Sequence, residues 1–240
     1  IARQFNIQVT AIIVGELQSV RPIPNIRTQR LRPAPGGVSI GHYRITAGTL
    51  GCLVRDYTGS IYILSNNHVL ANSNDARIGD PIYQPGPFDG GTSKDEIAKL
   101  SKWKPLDPNS VNYVDAALAR PNSVQDVSPE ILGIGRVKGM ATPKLGLHVK
   151  KSGRTTGVTH GTVTTIRAYV KVNNPNLGIL AFDDQIIVRP GTFSSGGDSG
   201  SLVLDDENRA IGLLFAGSDI STIVNPIRRV MQELNIATII

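Results

Sequence analysis

Ser194-Ser195-Gly196-Gly197-Asp198-Ser199-Gly200-Ser201 runs directly into the apolar stretch Leu202-Val203-Leu204. Glycines on both sides of a serine let the backbone take angles closed to other residues and approach a substrate closely. They also let successive N–H groups turn toward one point, as a developing oxyanion requires. A flexible Gly/Ser loop has the same composition. The segment therefore acquires chemical meaning only if a base and an orienting acid stand elsewhere in the chain.

The chain has four histidines: His42, His68, His148 and His160. His68 follows the apolar run Ile61-Tyr62-Ile63-Leu64 in Ser65-Asn66-Asn67-His68-Val69-Leu70. A histidine at a strand exit among small polar residues is held rigidly yet stays reachable. A lone core or surface histidine is the plain alternative. Most acids lie in turn sequences, but Asp115 interrupts the apolar segment Val114-Asp115-Ala116-Ala117-Leu118-Ala119. A carboxylate there must find a partner, because burying it unpaired is costly. An imidazole N–H would serve, and an exposed edge position is the alternative.

The order His68, Asp115, Ser199 is that of chymotrypsin and differs from subtilisin and the α/β-hydrolases. With Asn67-His68-Val69 and Gly197-Asp198-Ser199-Gly200, the chain resembles the chymotrypsin-fold serine peptidases. Lys151-Ser152-Gly153-Arg154-Thr155-Thr156-Gly157, followed by Gly161-Thr162-Val163, is similar to the second-barrel hairpin of α-lytic-type bacterial proteases. The run from Ile63 to Ala71, with Gln84-Pro85-Gly86 and Asp89-Gly90-Gly91, resembles bacterial relatives of the plant narrow-leaf proteases more closely still. The resemblance spans roughly residues 47–235.

It implies an all-β fold of two perpendicular six-stranded antiparallel barrels with a C-terminal helix, the site lying in the cleft between them. His68 and Asp115 would come from the first barrel and Ser199 from the second. His68 would act as base, Ser199 as nucleophile and Asp115 as the group fixing the imidazole tautomer, with an acyl-enzyme intermediate. The N–H groups of Gly197 and Ser199 would hold the oxyanion. The substrate would be a protein or peptide, and no cofactor or metal is called for.

Some positions depart from the family. Phe215 stands where a serine usually hydrogen-bonds the aspartate, so Asp115 needs a different second partner. The expected pocket comprises Phe193, Phe215, Ala216 and Gly217. Without an acid at its floor, a small or apolar residue is expected before the cleaved bond rather than Lys or Arg. The resemblance also turns Asp198 inward, and Lys138 or Arg136 is the expected cation for it. On that reading activity needs no N-terminal cleavage, and the amine of Ile1 has no part in it.

Composition agrees with such a chain. Of 240 residues, 40% are apolar and 18% charged, which favours neither disorder nor a membrane span, and the 25 Gly and 15 Pro suit many turns. Short β-type runs recur between turn signals, from Thr49–Arg55 to Ala210–Phe215, with strands expected over Ile61–Leu70 and Val114–Ala119. Asn225 suits a helix cap, Pro226 the first helical position, and Ile227, Val230, Met231 and Leu234 one buried face. The polar segment 121–130 is read as a link, dividing the chain into 1–125 and 126–240. Residues 1–40 carry no legible chemistry.

The net charge of +6 is spread in short clusters without interleaved aromatics, a solvated surface rather than a nucleic-acid site. Cys52 is the single cysteine, so no intrachain disulfide forms, and its apolar setting marks it as a buried thiol. No charged-then-apolar leader opens the chain, which leaves cytoplasmic and secreted-after-processing locations both open. Oligomeric state is not legible. The rival readings are a protease-fold binding or assembly module and a self-processing peptidase.

Overall fold

The run Ile61–Leu64, apolar at every position, lies between two cores. In the computed structural model, which describes residues 25–240, Ile63 packs among Ile40, Leu53, Leu100, Ala117 and Ala119. Its neighbour Leu64 faces the other way, onto Cys52, Val54, Leu118, Leu202 and Leu213. Successive strand side chains alternate between faces, so a strand buried on both sides loses the apolar–polar alternation of a surface strand.

This strand, Ile61–Ser65, belongs to an antiparallel sheet of eight strands. Their spatial order is Ile236–Ile239, Cys52–Asp56, Ile61–Ser65, Ala117–Pro121, Glu96–Trp103, Pro81–Tyr83, Ser39–His42 and Gly48–Thr49. The second sheet runs Gly157–Asn174, His148–Gly153, Leu202–Asp205, Ala210–Gly217, Thr222–Pro226 and Gly178–Arg189. Its first and last strands also pair with each other, closing a ring of six. Closure leaves no free edge for aggregation. Val149, Val163, Val188, Phe193, Val203 and Leu214 fill the ring's interior. A third, small sheet joins Ala34–Gly36, Val127–Ile131 and Gly135–Arg136.

Two short strands cross between the halves. Val111–Asn112 pairs in parallel with Gly178–Arg189 of the second sheet, and Ile236–Ile239 joins Cys52–Asp56 of the first. The helix Ile227–Leu234 buries Ile227, Val230, Met231 and Leu234 against the core shared by both halves, the face expected from their spacing.

Several local expectations are corrected. The strand expected over Val114–Ala119 begins only at Ala117, and the one over Ile61–Leu70 stops at Ser65, after which Asn67–Leu70 form one helical turn. Glu96–Trp103 is a strand that the sequence does not announce, and Val127–Ile131, which overlaps the end of the expected link 121–130, forms another. Asn225 does not cap the helix. Its side chain is committed elsewhere, to Asp115 and Gln185.

Candidate active site

His68 is presented by the helical turn Asn67–Leu70 at the exit of strand Ile61–Ser65. Its Nδ1 lies 2.6 Å from Asp115 Oδ2, and its own backbone N–H donates to Asp115 Oδ1 at 3.2 Å. That backbone N–H is the second partner the carboxylate needed. Asp115 is held from both ends of its peptide unit. Its N–H donates to Asn225 Oδ1 at 2.9 Å, and its carbonyl accepts from Asn66 Nδ2 at 2.7 Å. Asn225 in turn donates to Gln185 Oε1 at 2.7 Å, so two strands of the closed ring fix an acid in the segment that leads into the first sheet. Burial lowers the pKa of the His68 imidazole, but the charge of Asp115 and the hydrogen bond to it outweigh burial, and the net direction is upward. With Nδ1 as donor to the carboxylate, a neutral ring carries its lone pair on Nε2.

Ser199 sits on a loop anchored to the first sheet. Its carbonyl accepts from Thr49 N at 2.8 Å, and the Gly197 carbonyl accepts from Thr49 Oγ1 at 2.8 Å. Gly200, at φ +96°, leaves no room for a Cβ against Ser65 and Thr49, so close contact between the two halves requires glycine there. The Ser199 hydroxyl donates to the Phe215 carbonyl at 3.4 Å. Among the described residues, no side chain or carbonyl accepts from the N–H of Gly197 or of Ser199. Two cavities adjoin the site and share Ala216 and Gly217 as lining. One, of about 240 Å³, contains Ser199, and the other, of about 530 Å³, contains His68 and Asp115.

Solved structures of similar fold include bacterial serine proteases. A glutamic-acid-specific serine protease superposes with a TM-score of 0.62 at 21% identity, covering 86% of this chain and 100% of its own. Nocardiopsis protease gives 0.62 at 18% identity, covering 85% and 99%. Cellulomonas bogoriensis chymotrypsin gives 0.58 at 19%, covering 85% and 97%. The chain has the chymotrypsin fold. Residues 119–229, just under half of it, match the family described as the Nal1 C-terminal domain, in accord with the resemblance to narrow-leaf proteases. No curated protein matches by sequence.

Within this chymotrypsin fold the partner of Asp198 differs from expectation. Asp198 turns inward and is fully buried, but neither Lys138 nor Arg136 reaches it, and both are exposed. The cation is Lys151, equally buried, with Nζ 3.3 Å from Asp198 Oδ2. Lys151 lies on a strand of the closed ring whose alternation points its side chain inside, whereas Lys138 is tied into a surface turn by its N–H to Asn208. Asp198 also accepts from the N–H groups of Thr155, Thr156 and Ser195 and from the Thr156 hydroxyl. Burial pulls the Lys151 pKa below its ordinary value, while Asp198 acts in the opposite sense. Gly153 packs directly on the Asp198 carboxylate. The Ile1 amine lies outside the described residues.

The expected pocket is redrawn as well. Phe193 is fully buried beneath the loop, its ring centre 5.9 Å from Lys151 Nζ, and lines neither cavity. Phe215 lines the His68 cavity and stacks against Phe182, with ring centres 4.7 Å apart. The Ser199 cavity is lined by Ser194, Ser195, Ser218 and Asp219, with Leu214 and the expected Ala216 and Gly217 completing it.

Other residues of the site escaped the sequence reading. Arg154 forms a two-pronged ion pair with Asp89, and Asp89 also accepts from the Ser39 hydroxyl at 2.6 Å. Arg27 donates to Gly37 O at 2.9 Å and to Ser152 Oγ at 2.6 Å, strapping the first sheet to the hairpin that carries Lys151. The two adjacent asparagines before His68 were one available signal, since buried amides in series are costly unless each is bonded.

Proposed function

We propose that this protein is a serine endopeptidase that cleaves peptide bonds through an acyl-enzyme. The observation that carries the reading is the His68–Asp115 pair at 2.6 Å, its imidazole lining a cavity that shares Ala216 and Gly217 with the one lined by Ser199. In the proposed sequence, His68 Nε2 takes the Ser199 hydroxyl proton as Oγ attacks the scissile carbonyl. The Gly197 and Ser199 N–H groups, without acceptors in the described protein, receive the oxyanion. His68 then protonates the leaving amine; in the second step it takes a proton from a water that attacks the acyl carbonyl and returns that proton to Ser199 Oγ as the acid leaves. Asp115 keeps the ring in the productive tautomer and stabilises the imidazolium.

Because Lys151 supplies the buried cation for Asp198 from within the chain, the loop needs no new terminus to hold its shape. Activity without N-terminal cleavage is part of this proposal. The glutamic-acid-specific protease uses a histidine triad in substrate binding. No histidine lines the Ser199 cavity here, so that preference is not carried over.

A non-catalytic binding module draws on one observation, the Ser199 hydroxyl bonded to Phe215 O rather than to His68. Catalytic hydrogen bonds are often loose without substrate, and rotation about one bond redirects the hydroxyl. A serine-reactive phosphonate decides between the two. Labelling of Ser199, with turnover falling about 10⁴–10⁶-fold in Ser199→Ala, supports the peptidase. A folded protein that neither labels nor cleaves supports the module.

A further inference from the structure

Within the nucleophile loop, the Gly196–Gly197 peptide is the one whose orientation the sequence leaves open. Reversing a peptide plane changes ψ of the residue before it and φ of the residue after it, and two glycines tolerate both changes. In a trans peptide the C=O and N–H point in opposite directions. A reversed Gly196–Gly197 plane would therefore present a carbonyl where the Gly197 N–H is needed. The peptides that follow are already fixed. The Gly197 carbonyl accepts from Thr49 Oγ1 at 2.8 Å, and the Asp198 N–H donates to Ser195 O at 3.0 Å. The Asp198 carbonyl accepts from the buried Ser201 hydroxyl at 2.6 Å, which sets the Ser199 N–H in the opposite direction.

One hydroxyl holds the remaining carbonyl. Thr155 Oγ1 donates to Gly196 O at 2.7 Å, which leaves the Gly197 N–H facing away from the hairpin turn, without an acceptor among the described residues. The same hydroxyl accepts from Arg154 Nη1 at 3.1 Å, so its single proton is committed to the carbonyl. Arg154 is itself held by Asp89, with Nε 2.8 Å from Oδ2, and Asp89 accepts from the hydroxyl of Ser39 on a strand of the first sheet. Thr155 is placed by its own backbone, whose N–H donates to Asp198 Oδ1 at 2.8 Å, and its side chain is exposed. The hydroxyl is therefore not needed to fold the turn. It lies so near Gly197, which has φ +93°, that no Cβ would fit there.

Resting on the peptidase reading, we infer that Thr155 is a positioning residue for the oxyanion site. Its hydroxyl selects the productive orientation of the Gly196–Gly197 peptide from behind and does not touch the substrate. Ser39, Asp89 and Arg154 carry that hold across from the first sheet. The contribution falls on the transition state. As Ser199 Oγ adds to the scissile carbon and its proton passes to His68, the carbonyl oxygen gains the charge that the Gly197 N–H must meet. An intact carbonyl asks less of the same donor.

The test compares Thr155→Val, which keeps the shape and removes the hydroxyl, with Thr155→Ser, which keeps the hydroxyl. Loss of one orienting hydrogen bond should lower kcat about 3- to 30-fold in Thr155→Val with little change in KM, while Thr155→Ser stays within about threefold of wild type. Deleting an oxyanion donor outright costs about 10²–10³-fold, more than a shifted orientation does. A peptide aldehyde forms an oxyanion when Ser199 Oγ adds to its carbon, and the corresponding peptide alcohol cannot. In Thr155→Val the inhibition constant of the aldehyde should rise by the same factor as kcat falls, that of the alcohol should hold, and the unfolding midpoint should not move. Unchanged kcat and aldehyde inhibition in Thr155→Val overturn the proposal, as does an equal loss in Thr155→Ser or an equal weakening of aldehyde and alcohol. Each of these leaves the peptidase standing, provided wild-type Ser199 reacts with the phosphonate. Failure of the wild type to react overturns both.

Discussion

His68 and Asp115 form a pair whose chemistry is set by a balance of burial and charge. Because the net pKa of His68 is raised, the neutral base appears only above an ordinary histidine's value of about 6.5. Catalytic efficiency should therefore fall as pH drops through an apparent pKa above that value. Asp115→Asn should shift this limb to lower pH, since burial then acts alone, and cost about 10⁴-fold in kcat. A pH profile of kcat/KM for the two proteins checks both. The Lys151–Asp198 pair makes a second residue-scale prediction. Lys151→Met leaves a fully buried carboxylate without its cation and should cost about 3–5 kcal/mol in denaturant unfolding, with loss of activity. Lys138→Met, at an exposed position, should stay within about 0.5 kcal/mol of wild type. The reverse ranking would restore the surface lysine as the partner.

The hairpin His148–Gly153 to Gly157–Asn174 carries Lys151 and Arg154, and it is buttressed from the other half of the chain. Arg27 bonds to Ser152 in its first strand, and Arg154 at its turn is clamped by Asp89. Arg27→Met removes its donors to the Ser152 hydroxyl and to two carbonyls, of Gly37 and Leu132. At about 1–3 kcal/mol for polar groups left unpaired, the loss should be visible as a lowered midpoint of unfolding. Arg27→Lys, which keeps the charge but loses the fork, should recover only part of it. Equal stability of all three proteins would show that the strap contributes nothing.

At the scale of the molecule, the core between the halves is covered by the helix Ile227–Leu234 and the strand Ile236–Ile239. Cys52 lies there under the strand Ile236–Ile239 and the helix before it, and burial pushes its thiol up to about 12. It should resist thiol reagents in the native protein and react at the rate of unfolding. Removing residues 236–240 strips an edge strand from Cys52–Asp56 and should make Cys52 reactive without denaturant. Labelling followed by mass spectrometry measures both.

The chemistry-bearing residues were legible because each breaks a local rule. Asp115 stands in an apolar segment, His68 follows an apolar run among amides, and Ser199 lies in a glycine-rich loop. The helix face Ile227, Val230, Met231, Leu234 was legible because its period is local. Pairings across the chain were not. Lys151 and Lys138 are equally good cations in the sequence, and only the inward side of a closed ring selects Lys151. Asn225 suits a helix cap by its neighbours, yet the nearness of Asp115, 110 residues away, claims its side chain. Phe193 and Phe215, both buried, look alike as pocket residues until packing puts one beneath the nucleophile loop and the other in the wall of the His68 cavity. Propensity and spacing are written along the chain, so sequence determined the elements and the reactive groups. Partner choice and cavity shape depend on contacts between distant segments, which exist only once the two halves have closed on each other.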